Sequence, residues 1–175
     1  MIITVDELKS VYSDLDFSKF SDERLKRKLL AIESMVRNYT NNNFINRNMV
    51  VECYALDNQL HGDFSQFVAG DTIQVYPSGE LYNIVVAGDE SIEIDANIQD
   101  AEKLRVYRVD YPMDIVEGCV ELLNYDCNGR TKKGIASESL SRHSVSYVQY
   151  NESNSREGYP SEMMNFLRKY TKWRT

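Results

Sequence analysis

From Leu25 to Tyr39 the apolar positions Leu25, Leu29, Ile32, Val36 and Tyr39 step by four, three, four and three, the spacing of one stripe on an amphipathic helix. Ser21 stands ahead of that run as an N-cap, and Asp22 and Glu23 sit where negative charge favours the helix dipole. The poor helix formers Thr40-Asn41-Asn42-Asn43 stop it. A shorter helix is expected earlier, opened by the capping box Thr4-Val5-Asp6-Glu7 and ending near Asp14. Beyond Pro112, which suits a first helical turn, Val116, Val120, Leu123 and Cys127 repeat the helical step, with Ile115, Cys119 and Leu122 beside them. So wide an apolar arc predicts a mostly buried helix, closed by Asn128-Gly129. A last helix is expected after Tyr159-Pro160, with Met163, Phe166, Leu167, Tyr170 and Trp173 along one side.

Between these helices the period changes. From Met49 to Val109 short β-rich runs alternate with turn signals. Thr72–Tyr76 reads as a strand and Pro77-Ser78-Gly79 as a turn. Tyr82–Ala87 reads as a second strand, Gly88-Asp89 as a tight hairpin turn, and Ile92 and Ile94 alternate with Glu93 and Asp95. Leu104–Val109 closes the series. Four or five strands within about sixty residues predict a small, strongly curved sheet or barrel. The expected class is therefore α+β in one domain over residues 1–175. Its helical core of about four helices comes from residues 1–48 and 112–175, a small β-sheet or barrel is inserted at 49–111, and a strand from Ser144 precedes the C-terminal helix.

Charge refines that division. The chain of 175 residues has a net charge of −7, and residues 49–111 hold twelve acidic and three basic side chains while each flank is close to neutral. A segment so acidic repels a phosphate backbone. Arg168, Lys169, Lys172 and Arg174 make the C-terminal end basic. No apolar run approaches a membrane span, and the acidic start Met1–Glu7 lacks the basic region of a secretory leader. An intracellular product with no membrane association is expected, its three cysteines (Cys53, Cys119 and Cys127) serving as small apolar residues.

Candidate chemistry is sparse. His61 and His143 have no metal-ligand spacing around them, so no metal is expected. His143 and Ser144 are adjacent on an expected strand and point to opposite faces, which prevents a nucleophile–base pair. The glycines match neither a phosphate loop nor a dinucleotide fingerprint, and the acidic pairs lack calcium-loop spacing. The expectation is a protein without catalytic residues or cofactor. Two stretches are candidates for contact instead. The terminal helix offers Met163, Phe166, Leu167, Arg168, Lys169, Tyr170, Lys172, Trp173 and Arg174 either to the chain's own core or to a partner's groove. The loop with Arg130, Lys132 and Lys133, followed by Ser137, Glu138, Ser139 and Leu140, reads either as a solvated basic loop or as a contact with DNA or a neighbouring subunit.

The order of parts carries a resemblance. A capped helix at Val5–Lys9 is followed by a long helix ending at Arg37–Phe44, and Val109-Asp110-Tyr111-Pro112 leads into the buried helix. Next come Gly134–Tyr147, with Ser-Glu-Ser-Leu and Ser-Val-Ser-Tyr, and then Gly158-Tyr159-Pro160. Over residues 1–47 and 109–175 this resembles the head–tail connector (adaptor or head-completion) proteins of tailed bacteriophages. The resemblance implies a non-enzymatic homo-oligomer, usually a dodecameric ring, at the head–tail interface of the virion, assembled in the bacterial host cytoplasm. It implies docking on the portal protein, a platform for a tail or second connector protein, and a channel that passes DNA without sequence-specific binding. The alternative is a small intracellular adaptor or regulatory protein that binds a peptide or protein through an aromatic groove of its β insert, built from Tyr54, Phe64, Phe67, Tyr76 and Tyr82.

Overall fold

The structure, a computed structural model, describes residues 2–129, 137–140, 143–146 and 155–172. The chain divides into two compact units, residues 42–111 and residues 2–41 with 112–175.

In the helical unit, α1 (Val5–Val11) is capped by Thr4, whose hydroxyl accepts from the Glu7 backbone at 3.2 Å. Helix α2 (Asp22–Thr40) covers the expected stretch, begins at the Ser21 cap and ends with Asn41 in the left-handed region, where asparagine pays little steric penalty. Its stripe of Leu25, Leu29, Ile32 and Val36 is buried against α3 (Met113–Asn124), which buries Ile115, Cys119, Leu122 and Leu123. A π turn, Tyr125–Gly129, prolongs α3. The terminal element is a 3₁₀ helix, Ser161–Tyr170, packed on α2 and α3.

The other unit is a closed antiparallel barrel. Its strands are β1 (Ile45–Leu56), β2 (Gln59–His61), β3 (Thr72–Tyr76), β4 (Glu80–Ala87), β5 (Ser91–Ile94) and β6 (Ala101–Val109), closing in the order β1-β2-β5-β4-β3-β6. Asp57 and Asn58, at φ 50° and 63°, make the tight β1–β2 turn, the conformation whose twist matches the two strands it joins. Alternate side chains point inward, among them Ala55, Leu60, Ile73, Ile92 and Val106. Phe64 and Phe67, between β2 and β3, add their rings edge to face at 5.5 Å to the same core. The first and last strands pair at Ile45 and Val109, and the Asp110 N–H donates to the Phe44 carbonyl at 2.9 Å.

These observations overturn the expectation of a helical core carrying a small inserted sheet. The six strands form a closed barrel with a hydrophobic core of its own, and strand makes up about 31 % of the chain. The strand count was underestimated because β1 hides its alternation. Residues 46–49 bulge out of register against β6, so Asn46, Arg47 and Asn48 read as loop. Of the strand expected from Ser144, residues 144–146 lie in β8 (His143–Ser146), which pairs with β7 (Ser137–Leu140), and β9 (Ser155–Arg156) pairs with β10 (Tyr159–Pro160) ahead of the last helix.

Candidate functional site

The terminal 3₁₀ helix is anchored from beneath. Leu167 is fully buried, and so is Met164, a residue the sequence stripe passed over. Phe166 lies over Gly118 of α3, where a Cβ would come within 2.4 Å of its ring. Glycine at that position is what lets the ring approach the helix backbone. Tyr170 donates its hydroxyl to Asp114 Oδ1 at 2.7 Å, and Lys169 pairs with Asp114 Oδ2 at 2.7 Å. The Lys169 hydrogen bond, aided by Tyr170, holds the Asp114 carboxyl below its ordinary range. Of the proposed docking residues, Arg168 and Lys172 are exposed, Met163 is half-buried, and Trp173 and Arg174 lie outside the described residues. The Lys172 backbone N–H donates to the Thr40 carbonyl at 2.8 Å. The apolar stripe thus serves the chain's own core, and its cations face out.

In the second candidate stretch, Arg130, Lys132 and Lys133 lie outside the described residues. Ser137, Glu138, Ser139 and Leu140 form β7, in register with Ser146, Val145, Ser144 and His143.

On the barrel the five rings expected to form a groove separate. Phe64 and Phe67 are inside, whereas Tyr54 and Tyr76 are exposed. Tyr82 is half-buried and donates its hydroxyl to Glu80, which together with burial raises the phenol to about 12. Tyr54 stacks on His61 at 5.0 Å between ring centres, beside Asp63, Asp89 and Glu90. One row outward from the core runs across four strands in register: Leu56, Gln59, Glu93 and Val86. Gln59 donates to Glu93 Oε1 at 2.9 Å within it. Sequence reasoning missed this row. The run of eleven Asp and Glu with no Lys or Arg between Arg47 and Lys103 signals an acidic face but not which residues line up across it.

Among the described residues no group of three His, Cys, Asp or Glu is arranged to hold a metal, and no helix is long and apolar enough to cross a membrane. Cys53 and Cys119 are buried, which pushes their thiols up to about 11 and about 12, out of the range of reactive cysteines. Comparison with family models and with curated proteins returns no match. What the geometry offers is surface for contact: exposed cations on the helical unit and, on the barrel, an acidic face that carries exposed apolar side chains.

Proposed function

We propose that this chain is a head–tail connector subunit of a tailed bacteriophage. It assembles into a ring beneath the portal, extends the DNA channel and presents a platform to a tail or second connector protein. The observation that supports this reading is the segregation of charge: the barrel unit is strongly acidic, and the rest of the chain is close to neutral with exposed cations on its terminal helix. The barrel unit, residues 42–111, holds twelve acidic and four basic side chains, a net of −8, and the rest of the chain is at +1. A ring built head to tail needs two different faces on each copy, and unlike charges favour their correct pairing. An acidic barrel repels DNA phosphates, as a channel that must release its cargo requires.

The test is to mix the purified chain with isolated portal rings and examine the product by electron microscopy. A second ring of density stacked on the portal is expected. Portal rings that stay bare at every protein concentration would sink the proposal. For portal contact we assign the outward cations of the terminal helix, Arg168 and Lys172. Deleting residues 161–175 does not test this, because it strips Met164 and Leu167 from the helical core. The double substitution Arg168→Glu and Lys172→Glu leaves that core intact. It should weaken portal binding at least roughly tenfold without lowering the melting temperature.

A further inference from the structure

The outer face of β1, β2, β5 and β4 has the anatomy of an interface. Tyr54, 47 % exposed, and Leu56, 45 % exposed, form an aromatic and aliphatic patch on β1, while Val86 lies across the face on β4, beyond Gln59 and Glu93. Around the patch stand Asp57, Asp63, Asp89, Glu90, Glu93 and Asp100, all exposed. Interfaces set exposed apolar side chains among polar ones, and here the Tyr54 and Leu56 pair stands among carboxylates of one sign. The partner must therefore be cationic and carry an apolar residue.

The chain itself owns such a surface. On α2 the side chains of Lys26, Arg27, Leu30, Ala31 and Ser34 point away from the helical core, and all five are exposed. Leu30 is 40 % exposed, unlike Leu25 and Leu29 on the opposite side, which are buried. Lys26 and Arg27 enter no ion pair among the described residues, whereas Lys28, on the next turn position, reaches Asp126 at 3.3 Å. The dimensions agree as well. Four strands about 4.8 Å apart present a face roughly 15 Å wide, and a helix with side chains is about 10 Å across. The stretch from Lys26 to Ser34 is about 12 Å long at 1.5 Å per residue.

We infer that the β1-β2-β5-β4 face of one copy docks on the α2 face of a second copy, with Leu30 against Tyr54 and Leu56 and with Lys26 and Arg27 against the acidic residues around them. The choice of a second copy as occupant rests on the ring reading above. The contact joins two different surfaces, so it repeats from copy to copy and closes into a ring when the rotation allows.

Sedimentation velocity on the full chain, over a concentration series in low salt and again in high salt, tests the contact. The wild type should associate, and salt should weaken the association because exposed charges are screened. Two variants reverse one face each: Lys26→Glu with Arg27→Glu, and Asp89→Lys with Glu90→Lys and Glu93→Lys. Each alone should lose at least roughly tenfold in association constant, and an equimolar mixture of the two should recover a complex, since each variant keeps the wild-type face that the other lacks and the two reversed faces complement one another. Leu30→Asp and Leu56→Asp probe the apolar contact, and unchanged melting temperatures show that all these exposed substitutions leave the fold intact. A wild type that stays monomeric in low salt, a variant that associates like the wild type, or a mixture that stays apart would each overturn the inference. Failure of the ring reading looks different. Association through these faces without portal binding removes the ring reading and leaves the contact, and portal rings decorated equally by both charge-reversed variants do the opposite.

Discussion

Gly118 and Phe166 illustrate how one absent methyl group settles a packing arrangement. In the middle of α3, glycine costs about 1 kcal/mol of helix propensity relative to alanine, and the return is room for the Phe166 ring. In the wild type, Gly118→Ala must therefore displace that ring, losing the helix its purchase on α3. With Phe166→Ala already present the same substitution meets no ring and should stabilise the chain by up to about 1 kcal/mol. A double-mutant cycle followed by thermal unfolding should show a coupling of at least roughly 1 kcal/mol; additive effects would refute the packing argument. Asp110 supplies the pH dependence. Burial alone would raise its carboxyl, but hydrogen bonds from Arg108 at 2.8 Å and Asn46 at 2.6 Å hold it below the ordinary range. A depressed folded-state value adds stability that is present above the unfolded value, about 3.9, and is lost as the pH falls through the folded one. Asp110→Asn should thus be less stable than the wild type at neutral pH and lose less on acidification below about pH 4. Parallel curves of melting temperature against pH for the two proteins would contradict this.

At the scale of elements, the helices were legible because each carries local signals. The Ser21 cap, the stripe of α2 and the asparagines that end it lie within one stretch of chain, and helix formation depends on neighbours at i+3 and i+4. Ser21→Ala should cost about 1 kcal/mol, measurable by urea unfolding with an unchanged slope. The terminal helix was placed correctly, but no local signal distinguishes a stripe that covers the chain's own core from one that awaits a partner. Leu167 is buried only because α2 and α3 are there to cover it. Strands were harder still. Their partners are distant in sequence, and β1 is disguised by its bulge, by the polar run Asn46–Asn48, and by the short β2 with which its end pairs. Of the candidate site, the cations Arg168 and Lys172 were legible from composition. The outer row of Leu56, Gln59, Glu93 and Val86 was not, since those four residues align only because β5 lies between β2 and β4.

At the scale of the molecule, the barrel unit has the requirements of an independent domain. Its buried core runs from Cys53 to Val106 with Val51 packed against it, all within the unit, and its first and last strands close on each other. Residues 42–111 expressed alone should unfold cooperatively on heating, with dispersed amide resonances; a molten product would show that the helices are needed. The closure also bears on how the rest of the chain assembles. Joining α2 to α3 across about 70 disordered residues requires a long loop to close, and that entropic cost grows with the logarithm of loop length. Once the barrel has formed, the Phe44 carbonyl and the Asp110 N–H are 2.9 Å apart, and the same connection behaves as a link of a few residues. The saving is roughly 3 kcal/mol. Folding should accordingly run from the middle outward, with barrel amides protected in pulsed hydrogen exchange before those of α2 and α3, so that the inserted segment acts as the clasp on which the discontinuous helical unit is built.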